Sequence, residues 1–215
     1  MYFQDKRLQA LLDAIRFIAN PKEKTPAHIT VRGPYSRYYD STKWERKIVG
    51  TEAIASGVDS FFENEKNTIY IRCYSKKLRE IWSKKDFGFV PHITLYDGIS
   101  RSFAELLHAR LKQIPLQFSF AIGELRSLVS HKGQQSTILR QIFDENIAKD
   151  VVGYPLKVDE VDKMSFEKRV RVIETFCKKL QGFHIPRREV SSTVELKLIH
   201  LDETSEIDLA EVKLN

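Results

Sequence analysis

An α+β fold is what this sequence predicts, on three observations. Apolar residues recur at helical spacing over 5–19, 101–113 and 166–180. Between them lie short runs rich in β-branched and aromatic residues, such as 68–74 and 118–128. One phrase, His-Ile-Thr, is used twice, at 28–30 and 92–94, each time just after a proline and running on into a glycine.

Taken in order, Leu8, Leu11, Leu12, Ile15, Ile18 and Ala19 mark the first helix, which Asn20-Pro21 ends. The loop 22–26 leads to the first motif strand, and Gly33-Pro34 stops it. Residues 35–42 are too polar and irregular for an element, and 48–62 read as two short strands broken near Gly57. A strand over 68–74, a helix over 75–84 and the second motif strand, 91–96, follow. The helix 101–113 carries Phe103, Leu106, Leu107 and Leu111, and Pro115 closes it. Further on, 136–148 predicts a helix. Phe166, Val170, Ile173, Phe176, Cys177 and Leu180 mark another, ending at Gly182, and 192–201 alternates as a strand.

A chain of 215 residues is one large domain, or one domain with a substantial extension. Two cysteines, Cys73 and Cys177, lie far apart inside apolar patterns, so buried free thiols and a reducing, cytoplasmic setting are expected. The start has no signal-peptide pattern, and no apolar run is long enough to cross a bilayer, so no membrane partner is expected. Net charge is +6. The last fifteen residues carry five acids and one lysine (−4), which leaves +10 on residues 1–200. A basic body suits a polyanionic substrate through long-range steering, though many soluble proteins carry as much.

The repeated phrase carries the chemistry. Side chains alternate along a strand, so His28 and Thr30 share one face, as do His92 and Thr94. Two such strands side by side would gather two imidazoles and two hydroxyls around one cleft. Cleaving a phosphodiester asks for a base on the attacking oxygen and an acid on the departing one, and histidine titrates where both forms are accessible. A hydroxyl two residues along can bind the non-bridging oxygens. This scheme needs no metal or other cofactor, because an imidazolium supplies the positive charge. A lone His-x-Thr would mean little, and a strand histidine is commonly a packing residue. The rival is a metal clip joining His28 and His92 to Asp97 or Cys73.

With both motifs in view, the sequence resembles the 2H phosphoesterases. That superfamily includes 2′-5′ RNA ligase-like proteins, cyclic nucleotide phosphodiesterases and phage enzymes that degrade cyclic oligonucleotide signals. The likeness covers residues 1 to about 130 and is strongest at Phe89-Val-Pro-His92-Ile-Thr94-Leu. It implies a two-lobed α+β fold with pseudo-twofold related antiparallel sheets and helices outside. It also implies that His28 and His92 share the acid and base roles while Thr30 and Thr94 grip the phosphate. Members usually open with a long apolar strand, for which Met1-Tyr-Phe is too short. Beyond the 1–130 core, 131–190 reads as a helical insertion and 191–215 as a closing strand and acidic tail.

Supporting residues follow from the strand pattern. Arg32 should share the face of Thr30, and Tyr96 that of Thr94, where either would reach a phosphate or a base. Tyr35 and Tyr38 stand in an aromatic and basic loop after the first motif, suited to stacking unpaired bases. Each has a plain alternative in packing or a surface ion pair. The expected activity is metal-independent cleavage of a small RNA-type phosphodiester: a 2′,3′-cyclic phosphate, a 2′-5′ linkage or a cyclic oligonucleotide. The alternatives are a nucleotide- or RNA-binding module without turnover, and an interaction scaffold using 131–190.

Overall fold

Asp5 starts the first helix: its carboxylate accepts hydrogen bonds from the N–H groups of Arg7 and Leu8, and α1 runs Lys6–Ala19. Pro21 disfavours helical backbone in the residue before it, and Asn20 is accordingly extended, at φ −141° and ψ 94°. The computed structural model describes residues 1–23, 25–29, 42–62, 66–81, 90–125, 149 and 157–185.

Strands β1 (Tyr2–Phe3), β2 (Glu52–Phe62), β3 (Asn67–Tyr74), β4 (His92–Gly98) and β5 (Gln117–Glu124) form a five-stranded antiparallel sheet in the order β1-β5-β2-β3-β4. The short start of the chain makes a two-residue strand, β1, paired with β5. Gly123 permits that close approach, since a Cβ there would lie 2.7 Å from the Cα of Gln4. The segment 48–62 departs from the expected pair of strands. Ile48 ends a helix, α2 (Thr42–Ile48), which the sequence pattern did not suggest, and β2 is one continuous strand. The interruption expected near Gly57 is a β-bulge: pairing with β3 shifts register between Ala55 and Val58, and Gly57 takes φ +73°.

Four more helices complete the described fold: α3 (Lys76–Ile81), α4 (Arg101–Leu111), α5 (Val158–Asp162) and α6 (Phe166–Leu180). Ser100 and Ser165 cap α4 and α6 by accepting from the N–H groups of Phe103 and Lys168. Helix α6 packs on α1 and α4 through Val170, Ile173, Phe176, Cys177 and Leu180, all in the same buried core as Phe3, Phe17, Ile29, Ile93 and Phe118. Each large apolar side chain buried there contributes roughly 1.5–3 kcal/mol. The compact unit therefore runs Met1–Ile185 and includes α6, so that helix belongs to the core itself. Pro186–Asn215 is assigned to a second unit. That unit, the helix expected at 136–148 and the strand expected at 192–201 lie outside the described residues.

Cys73 and Cys177 are buried free thiols, and burial pushes both above the usual thiol range. Among the described residues no helix is long and apolar enough to cross a membrane.

Candidate functional site

Ile29 joins the two edges of the sheet. Its N–H donates to the Met1 carbonyl at 3.0 Å, and its own carbonyl accepts from the Met1 amino group at 2.8 Å, next to β1. On its other side it makes an antiparallel bridge with Ile93 of β4. Both isoleucines are fully buried. Alternation then turns His28 on one segment, and His92 and Thr94 on the other, toward the opposite face. Antiparallel register about the bridge sets His28 across from Thr94. The two motifs meet side by side.

The two imidazoles are held in the same way. Nδ1 of His28 lies 2.8 Å from the Pro26 carbonyl oxygen, and Nδ1 of His92 lies 2.7 Å from that of Val90, two residues upstream in each case. A carbonyl oxygen can only accept, so each Nδ1 must carry the proton. Nε2 of each ring is then the basic nitrogen, able to take or return a proton. Burial pushes the His28 imidazole down to about 4, helped by the Met1 ammonium and the Arg16 charge and opposed by the Pro26 bond. His92 is lowered too, by burial first and by Arg16, against the bond to Val90.

A pH titration checks this directly. Followed by NMR, the His28 ring should stay neutral, as the Nδ1–H tautomer, well below histidine's ordinary value of 6.5. The linkage has a definite sign. An unfolded chain binds this proton from about 6.5 downward while the fold resists until about 4, so stability is lost as pH drops from about 6.5 to about 4. A His28 titration at or above the ordinary value would contradict the geometry.

What fixes the two motif segments is a polar stripe on α1. Gln9, Asp13, Arg16 and Asn20 repeat at helical spacing on one side of a helix whose other positions from Leu8 onward are apolar. Gln9 donates to the Ala27 carbonyl at 2.8 Å, and the Ala27 N–H donates to Asp13 at 2.5 Å. Arg16 donates to the Thr25 carbonyl at 2.9 Å and to the Thr94 carbonyl at 2.9 Å, spanning both motifs with one guanidinium. It also pairs with Glu23 at 3.2 Å. Asn20 donates to the Asp97 carbonyl at 3.0 Å. Burial pushes the Asp13 carboxyl up to about 6, against the hydrogen bonds from Ala27 and Gln9 and the Arg16 charge. The apolar spacing of this helix was legible in the sequence; these four were missed, and their own helical spacing is the signal that could have found them.

Strand β3 adds neighbours that the motifs alone do not reveal. Arg72 pairs across from His92, and Tyr70 from Thr94, which puts both on the histidine face. Asp59 of β2 stands across from Tyr70 and holds the half-exposed Arg72 in an ion pair. The Tyr70 ring lies 4.7 Å from that of His92, and Phe61 stacks on Tyr70 at 4.4 Å.

Of the residues the sequence singled out, His28, His92 and Thr94 are brought together. Tyr96 is not. Register between β3 and β4 shifts between Ile69 and Tyr70, which inserts one residue into β4 and breaks the alternation after Thr94. Tyr96 is therefore buried against Phe103, at 5.0 Å between rings, and its hydroxyl accepts from the Ser100 N–H at 3.2 Å. Its assignment to the substrate face is corrected accordingly. Thr30, Arg32, Tyr35 and Tyr38 lie outside the described residues. The thiol of Cys73 is buried, one position from Arg72 and so on the opposite face from His92, while Asp97 pairs with Lys66 at 3.7 Å. No protein-family model matches this chain, and no curated protein is found similar to it.

Proposed function

We propose that this chain is a phosphodiesterase of the 2H type that cleaves a small RNA-type ester with no metal in the chemical step. The observation that supports it is the equivalent holding of His28 and His92, each by a carbonyl two residues upstream, on either side of one antiparallel bridge. That local likeness between the motifs is also what favours a two-lobed, pseudo-twofold arrangement. In the reaction, a water or ribose oxygen attacks phosphorus and gives its proton to the neutral Nε2 of one histidine. The other, as imidazolium, protonates the departing ribose oxygen. Thr30 and Thr94 bind the non-bridging oxygens and hold phosphorus in line. The basic body draws the anion in, and a cytoplasmic setting fits the free thiols.

The substrate class follows from what two imidazoles lack. They shift protons and grip one phosphate, but they do not assist a poor leaving group as a metal ion does. A strained ribose ring or a neighbouring hydroxyl lowers the barrier instead. Purified protein incubated with 2′,3′-cyclic nucleotides, 2′-5′ and 3′-5′ dinucleotides and matched DNA dinucleotides, read by chromatography, should cleave the cyclic or 2′-linked ribonucleotides and spare the DNA. Binding should weaken as salt rises. Equal rates on DNA and RNA would contradict the substrate assignment. Binding of every compound without turnover would reduce the protein to a nucleotide-binding module.

A further inference from the structure

The face that presents His28 and His92 is unequal on its two sides. Beside His28 the described ring neighbour is Tyr2, 6.3 Å away and tilted. Beside His92 stands a continuous aromatic wall: Tyr70 at 4.7 Å, then Phe61, whose ring is 5.6 Å from His92 and 4.4 Å from Tyr70 at an interplanar angle of 21°. Tyr70 is buried beneath this wall, but Phe61 is 37% exposed. Phe61 is thus backed by the Tyr70 ring and keeps about a third of its surface in solvent. Among the described residues five other large apolar side chains, Val49, Ile54, Tyr74, Ile99 and Phe166, are more exposed, so what singles out Phe61 is its place beside His92 rather than its exposure.

We propose that Phe61 is the base-stacking position of the site: a planar ring of the ligand lies on it, with Tyr70 as its support, while the ester phosphate sits between the histidines. This rests on the phosphodiesterase reading for the phosphate, and it deepens that reading by giving the base of the ribonucleotide a place on Phe61. It also orients that ligand. The base-bearing ribose lies on the His92 side, and in-line displacement puts the attacking oxygen on the side away from it. With a 2′,3′-cyclic phosphate, the water oxygen–phosphorus bond forms as the phosphorus–ribose oxygen bond breaks. The water proton goes to Nε2 of His28, and His92 supplies a proton to the ribose oxygen.

Calorimetry with two products of unlike structure tests the stacking without requiring turnover. A nucleoside 2′-monophosphate and glycerol 2-phosphate both offer a phosphate monoester, and only the first offers a base. Wild-type protein should bind the nucleotide at least about tenfold more tightly, near the lower end of what one stacked base contributes. Phe61→Leu, which keeps apolar bulk without a ring, should erase that preference and leave glycerol 2-phosphate binding unchanged, and Phe61→Trp should keep it. Equal affinity of the wild type for both ligands, or a preference that survives Phe61→Leu, would overturn the proposal. The two readings fail separately: turnover without base preference sinks the stacking site, and a Phe61-dependent preference without turnover sinks the phosphodiesterase.

Discussion

His28→Ala and His92→Ala should each lower turnover of a 2′,3′-cyclic nucleotide by about a hundredfold or more, the usual contribution of one positioned acid or base. The expectation is the same for both because their settings are alike: each Nδ1 is committed to a backbone carbonyl, which leaves each Nε2 as the nitrogen that exchanges a proton. Acid and base act in one displacement, so losing either leaves the other with little to do. The double variant should therefore fall only slightly below the worse single one. Thr94→Ala should cost less, since a hydroxyl orients the phosphate without moving a proton. Folding of each variant is checked by its thermal midpoint, and steady-state rates supply the comparison. Wild-type turnover in the double variant would end the acid–base assignment.

How much of this was legible in the sequence depends on how local each signal is. The pairing of the two motifs was legible because Pro, His and Thr recur in the same order, and a strand's two-residue period needs only local sequence to place His92 and Thr94 on one face. The same period failed two residues later. Tyr96 leaves that face because β3 and β4 shift register opposite Ile69 and Tyr70, and such a bulge is a property of the pair of strands rather than of either one. Arg72 and Phe61 were missed for a related reason. Nothing in 67–74 alone says that position 72 will face His92; only the pairing does. The bulge at Gly57 was foreseen as a break because glycine permits the turn, but whether pairing resumes beyond it is decided by β3. Helix α1 differs again. Its apolar face was evident, while Gln9, Asp13, Arg16 and Asn20 read like a solvated face and are in fact the groups that bind the motif strands. Polar residues at helical spacing mean water or buried partners, and the tertiary fold chooses.

Replacing Arg16 by methionine should be the most destabilising single change at this site. Methionine keeps the apolar stem and much of the volume, so the loss isolates the guanidinium. On an exposed surface an ion pair such as Arg16–Glu23 would contribute about 1 kcal/mol at most. Burial changes the balance: the two side chains are only 5% and 15% exposed. Removing one partner of a buried pair strands the other charge and costs roughly 3–5 kcal/mol. Here the Thr25 and Thr94 carbonyls also lose their donor, at 2.9 Å each. A cost of that size would lower the thermal midpoint by many degrees, and chemical denaturation would measure it. Arg16→Lys should recover only part of the loss. An ammonium keeps the charge, but it lacks the flat, forked set of donors with which one side chain reaches Thr25 and Thr94 at once. In the folded fraction of the methionine variant, turnover should fall as well, because the same guanidinium ties the segment before His28 to the strand of His92. A midpoint within a degree or two of wild type, or a lysine variant indistinguishable from it, would show that the two motif segments are held together by something other than Arg16.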